Sequence, residues 1–278
     1  LSYQNCFEQQ CDEYMISPEF FNQIVPQSGN ISLWEEKSQF WMNDTEFSLN
    51  DALDIIYKAL HWYHPSLWRF LENLLLGWKI FIDQSETQRS QAFTTGSLWF
   101  SPYVYAPFSW KIDDIFILIH ELGHAYQLQK SQHHSAFHFS ASPFLWEFCA
   151  VFFEKILEKF LINQKYKKYD FSYYKQKGDI LLYSREIFNI EKKIYANIEQ
   201  WKIKTTDDCK KYISENSSSL FDFLSYQHII HSPFYTATYI FAHTLVPHFF
   251  EKHGFADFQK IASKWGSESI DSIFIQYL

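Results

Sequence analysis

Residues Asp113 to Lys130 read DDIFILIHELGHAYQLQK, and this stretch decides the fold. Within it, His120-Glu121-Leu122-Gly123-His124 forms the pattern H-E-x-x-H. Positions four apart on a helix stand one above the other. Both imidazoles can therefore meet one metal ion, with Glu121 placed to reach a water beside it. The flanking residues are helical in pattern. Asp113 or Asp114 is expected to cap the start, and Ile115, Leu118, Ile119 and Leu122 recur at helical spacing. Gly123 costs about 1 kcal/mol inside a helix, which points to a close approach of another backbone.

A catalytic metal site needs a third protein ligand and an open position. Ser142-Pro143 pairs a capping serine with a proline suited to the first helical position, so it predicts a second helix running through FLWEFCAVFFE. Glu147 on that helix is a carboxylate among apolar neighbours, costly to bury unless paired or bound to metal. It is the candidate third ligand; a salt bridge to Lys or Arg is the alternative. Glu154, two turns on, lies on nearly the same face as a supporting partner. His133, His134 and His138 between the helices read as a solvated loop or as rim residues.

Working outward, 278 residues with 21% aromatic content, only 7 Gly and 8 Pro favour long helices and short connections. A net charge of -8 without a basic run argues against nucleic acid as the main partner. No apolar run reaches the roughly 18 residues of a membrane span. The chain opens on Leu1 rather than Met, which reads as a processed or trimmed start, and its first residues lack a signal-peptide pattern. Cys6, Cys11, Cys149 and Cys209 form no disulfide framework or zinc knuckle, which favours a reducing cytoplasm.

Ser48-Leu49-Asn50-Asp51 opens an expected helix through Leu60, and residues 66–79 read as another. His61 and His64 read as structural. Residues 91–110 change character: aromatic and β-branched runs broken by Gly and Pro predict short strands before the metal helix. Such a strand either pairs with an extended peptide lying across the metal or is a plain hairpin covering the core. Residues 160–225 carry little identifiable chemistry. Further on, Ser232-Pro233 is expected to start a helix that places Tyr235, Tyr239 and His243 at i, i+4 and i+8. A phenol over a metal site can donate to an oxyanion; the alternative is an aromatic helix with satisfied polar tips.

Taken together, these motifs resemble the thimet oligopeptidase and oligoendopeptidase F family of zinc metallopeptidases. The residues carrying the resemblance are HELGHAY, Glu147 and Glu154 in WEFCAVFFE, and the segment His228-Ile229-Ile230-His231-Ser232-Pro233-Phe234-Tyr235 followed by Tyr239. The stretch Ser101 to Phe108 sits where that family has a strand, and Lys264-Trp265-Gly266-Ser267 resembles its Gly-Ser turn. Gln91-Ala92 replaces the family's usual glycine pair. The resemblance implies a mainly α, zincin-like domain with a small β-sheet beside the metal helix. It implies one domain over 1–278, with 1–45 a remnant of an N-terminal helical region and 46–278 the catalytic core. It also implies one Zn2+ per chain held by His120, His124 and Glu147, and Glu121 as general base. Tyr235 and His228 are then the oxyanion donors, with Tyr239 in support and Tyr103, Val104 and Tyr105 along the substrate. The implied activity is hydrolysis within short peptides. An exopeptidase with the same ligands, a catalytically silent peptide-binding homologue and a structural zinc protein are the alternatives.

Overall fold

The computed structural model describes residues 3–24, 48–85, 91–97, 99–131, 141–164, 173–200, 202–216, 232–264 and 268–277. The chain begins with α1 (Tyr3–Glu13) and α2 (Pro18–Ile24). α3 (Leu49–Tyr63) starts where the Ser48 hydroxyl accepts the Asp51 N–H at 3.1 Å, and it runs three residues past the expected Leu60. α4 (Pro65–Leu76) has proline at its first position and His64 Nδ1 accepting from the Ser66 N–H. His64 stacks on Phe255 at 4.1 Å and His61 on Tyr57, so both are packing residues.

α4 stops earlier than its apolar pattern suggests. Lys79 N–H bonds to the Leu74 carbonyl and Trp78 N–H to that of Leu75, the pairing that closes a helix through a left-handed residue. Here that residue is Trp78, at φ 55°. Its release of the chain makes β1 (Ile80–Asp83), a strand the sequence pattern did not announce. β2 (Phe93–Ser97) and β3 (Phe100–Pro107) complete a sheet of order β1-β3-β2. β1 runs parallel to β3, with Ile80 opposite Val104, and β2 antiparallel, with Phe93 opposite Tyr105. Val104 and Ala106 face the core, whereas Phe81, Tyr105 and Phe93 stack in a row on the outer face.

α5 (Ile112–Ser131) and α6 (Pro143–Asn163) follow. Asp113 and Asp114 lie in the first turn of α5. Asp114 helps to cap the helix, reaching back to accept the Lys111 and Ser109 N–H groups at 2.9 and 2.7 Å, one half of a capping box. α6 starts as expected, with Ser142 accepting the Phe144 N–H. It is buried around most of its circumference, which makes it the central helix of the core. α7 (Tyr173–Glu199), α8 (Thr206–Asn216), α9 (Thr236–Lys252), α10 (Phe255–Ala262) and α11 (Ile270–Phe274) follow, with a final 3-10 turn Ile275–Tyr277. α9 and α10 pack on α6, while α8 packs on α7 around Ile187, Ile190, Ile194 and Ile213. Phe152 of α6 stacks on Phe258 of α10 at 3.8 Å, and Phe144 meets Phe241 of α9 edge-on. Burying each such ring contributes about 1.5–3 kcal/mol. α1 and α2 join the same core through Phe7, Tyr14, Phe20 and Phe21. No helix among the described residues is long and apolar enough to cross a membrane.

The crossing of α5 and α6 positions the site. A Cβ at Gly123 would lie 2.6 Å from Ala150 Cα and 2.7 Å from the Cys149 carbonyl. Only glycine permits that approach. It puts the His120–His124 face of α5 directly against the Glu147–Glu154 face of α6.

Candidate metal centre

One turn of α5 carries His120 and His124, whose rings meet edge-on at 4.7 Å. Glu147 comes up from α6. One donor atom from each of these three residues lies within 4.8 Å of the others, an arrangement that could hold a metal ion. Glu147 is 2% exposed, so its carboxylate has left water behind. Its Oε1 accepts the Tyr235 hydroxyl at 2.6 Å. Its Oε2 is 3.5 Å from His120 Nε2 and has no hydrogen-bond partner among the described residues. A buried carboxylate oxygen left so, facing two imidazoles, fits a divalent cation between them.

Glu154 supports this arrangement from behind. Its Oε1 lies 2.6 Å from His120 Nδ1, which sets that nitrogen as the proton carrier and leaves Nε2 turned to the cluster. His124 lies flat on Trp146, ring centroids 4.3 Å apart. The charges follow from burial. Desolvation presses the His120 imidazolium down, but the Glu154 hydrogen bond and the charges of Glu154, Glu147 and Glu121 outweigh it and lift its pKa to about 9. Burial, then the neighbouring His120, hold His124 well below the usual range. Burial lifts Glu147 to about 7, against the pull of His120 and Tyr235.

Glu121 is also buried, and desolvation raises its pKa against the opposing effects of His120 and Thr94. The Thr94 hydroxyl, on β2, lies 2.7 Å from Glu121 Oε2 and 2.9 Å from its main-chain carbonyl. Thr94 was not legible in the sequence, since a threonine in a short strand carries no sign of the helix it will face.

Tyr235 reaches the cluster by a different route from the expected one. Ser232-Pro233 does not start the helix; α9 begins at Thr236. Residues 232–235 form a turn in which Phe234 takes φ 61°, a left-handed conformation unfavourable for a bulky residue. Tyr235 therefore stands just ahead of α9. Tyr239, one turn into α9, packs its ring against Tyr235 at 5.5 Å. His228 lies outside the described residues, as do His133, His134, His138 and residues 265–267.

Tyr103, Val104 and Tyr105, expected along the substrate, have no main-chain edge left for a peptide strand to pair with. They lie on β3, the middle strand, whose main-chain edges are taken by β1 and β2. Val104 is in the core, the Tyr105 hydroxyl donates to Asp83, and the Tyr103 hydroxyl accepts from Lys79. The strand that touches the Glu121 side of the cluster is β2, and among the described residues its outer edge has no strand partner.

No sequence-family model matches the chain, and neither does any curated relative. Solved structures do. PZ peptidase A, solved with an inhibitor, matches with a TM-score of 0.66 at 16% identity, over 98% of this chain and 54% of that one. A Bacillus anthracis structure bearing the name oligoendopeptidase F matches equally, at TM-score 0.66 and 16% identity, over 98% of this chain and 51% of that one. A Chlamydophila abortus structure described as a peptidase gives a TM-score of 0.60 at 17% identity, over 85% and 44%. The chain spans about half the length of the structures it matches. A mainly helical body, a small sheet beside α5 and a two-histidine, one-glutamate cluster that could hold a metal thus come together in the fold of the oligoendopeptidase F and PZ peptidase structures.

Proposed function

We propose that this chain is the catalytic region of a zinc-dependent peptidase that cleaves within short peptides. The observation that carries the reading is the Glu147 carboxylate, buried against His120 and His124 with one oxygen unpartnered among the described residues. His120, His124 and Glu147 would hold the zinc ion. Bound there, zinc supplies Lewis-acid polarisation of the scissile carbonyl and acidifies water. Glu154 keeps the His120 proton on Nδ1, so that Nε2 stays available.

The chain's own groups do the rest. Glu121 accepts the proton of the attacking water and passes it to the leaving nitrogen, and its raised pKa suits both directions of that transfer. Thr94 holds the Glu121 carboxylate in place through Oε2. Tyr235 donates its hydroxyl to the oxyanion that develops on the carbonyl, leaving Glu147 as it does so. His228 serves as a second donor to the same oxygen. The edge of β2 that has no strand partner among the described residues would take an extended peptide backbone, which gives binding that tolerates many sequences.

Glu121→Gln tests the reading. It keeps the side chain's size and the Thr94 contact while removing the basicity. Zinc content is expected to stay at one equivalent, while turnover of blocked and unblocked peptides, read by mass spectrometry, falls about 10²-fold or more. Near-native turnover would remove Glu121 from its role. Cleavage confined to chain ends would make the enzyme an exopeptidase.

A further inference from the structure

The 232–235 turn is held by a residue far from it in sequence. Phe234 adopts φ 61°, and its N–H donates to Glu191 Oε1 at 2.8 Å. Glu191, on α7, is 1% exposed, and its second oxygen has no partner among the described residues. The same face of α7 supplies Phe188 and Tyr195, whose rings flank that of Phe234 at 6.0 and 5.2 Å, and Phe7 closes the cage at 5.8 Å. One residue earlier, the Pro233 carbonyl accepts the Tyr14 hydroxyl at 2.9 Å. Tyr14 is anchored in turn, because its own carbonyl accepts the Ser142 hydroxyl at the start of α6. One residue later stands Tyr235, with its hydroxyl on Glu147.

A bulky residue keeps a left-handed φ only where its surroundings over-determine it. A carboxyl in an apolar cage persists only where it satisfies something. Here each supplies what the other requires. We propose that Glu191 is a positioning residue: through the Phe234 N–H it fixes the 232–235 turn, with Tyr14 as a second strap, and so aims the Tyr235 hydroxyl at the His120–His124–Glu147 centre. What Tyr235 does there rests on the peptidase reading above; where Glu191 holds it does not. Burial lifts the Glu191 pKa to about 8, so the group holding the turn at neutral pH is chiefly the protonated carboxyl, which glutamine imitates.

The experiment compares Glu191→Leu, Glu191→Gln and Tyr14→Phe, each with and without Tyr235→Phe. Two readouts are used: kcat and KM on an internally quenched short peptide, and the 19F resonance of 3-fluorotyrosine placed at position 235 in metal-free protein. Glu191→Leu is expected to lower kcat about 10-fold or more, within the roughly 10²-fold that loss of an oxyanion donor costs, and to leave KM within about twofold. Glu191→Gln retains an oxygen for the Phe234 N–H and restores kcat to within about threefold. In the Tyr235→Phe background, Glu191→Leu costs nothing further, whereas a general loss of stability would add to it. The 19F resonance moves in Glu191→Leu and stays in Glu191→Gln. An unmoved resonance in Glu191→Leu, or losses that simply add, overturns the assignment. If Glu191→Leu is insoluble, Tyr14→Phe reads the same clamp, and an unmoved resonance there overturns it equally. If the resonance moves while Tyr235→Phe leaves kcat intact, the positioning role stands and the catalytic reading of Tyr235 falls.

Discussion

Glu147 and Glu191 are both carboxyl groups sealed among aromatic side chains, and they answer the cost of burial differently. Glu147 has two imidazoles and a phenol around it, a setting in which a cation lets it stay ionised. Glu191 accepts one backbone N–H and keeps its proton, with its pKa lifted by burial to about 8. That difference has a sign that can be measured. An ordinary glutamate, as in the unfolded chain, titrates near 4.5. The native state therefore binds an extra proton between about 4.5 and 8. The stability tied to that proton is fully present below the lower value and is lost as pH rises through the upper one. Glu191→Gln carries no such proton. Between pH of about 6 and 8 the parent should lose stability relative to Glu191→Gln, with a slope of up to about 1 kcal/mol per pH unit. Urea unfolding of both proteins across that range checks it. Parallel profiles would mean that Glu191 is ionised in the native protein and held by a cationic partner.

Between elements, the tightest constraint is the contact of α5 and α6 at Gly123 and Ala150. Gly123→Ala adds a methyl where Ala150 Cα lies 2.6 Å away, so a backbone must move. Better helix propensity returns about 1 kcal/mol, while overpacking costs typically 1–3 kcal/mol. The variant is expected to be less stable in urea and to bind zinc more weakly, because the helices that carry the ligands are wedged apart. Unchanged stability and affinity would show that the crossing relaxes freely. This contact was foreshadowed in the sequence, since a glycine inside a strongly periodic helix has few other reasons to be there. The start of α6 was equally legible, because Ser142 and Pro143 act within one turn. Elsewhere local signals misled. Ser232-Pro233 carries the same helix-start chemistry, yet Glu191 and Tyr14 hold the next residues in a turn, and α9 waits until Thr236. β1 escaped notice because Trp78, not a glycine, closes α4. That β3 rather than β2 would be the middle strand depended on β1 as well. Glu191 itself offered nothing to read, for its partner lies 43 residues away.

Across the described residues, one large hydrophobic cluster joins every helix but α8, which packs with α7 around a smaller cluster of Ile187, Ile190, Ile194, Ile203 and Ile213, so the packing of the described core does not depend on a metal to exist. What a metal would add is a cross-link. His120 and His124 belong to α5, Glu147 to α6, and Tyr235 brings the entrance of α9 onto the same carboxylate. Ligand binding to the native state alone stabilises it by mass action, about 3 kcal/mol when free metal exceeds its dissociation constant a hundredfold. Chelation should therefore lower the melting temperature without abolishing folding, unlike a small zinc module whose core is the metal itself. Restoring zinc should recover it, and in Glu147→Ala the recovery should largely vanish because the third ligand is gone. Thermal melts of chelated, reloaded and Glu147→Ala protein, with metal content measured on each, decide the matter. A chelated protein that melts like the loaded one would place any metal away from these helices. A Glu147→Ala protein that regains the full shift would move the third ligand elsewhere. The effect should also be uneven in space. Hydrogen exchange should rise on chelation where α5 faces α6 and at the 232–235 turn, and little along α3 and α4, whose buried faces are apolar residues such as Ile56, Leu60, Leu67 and Leu71.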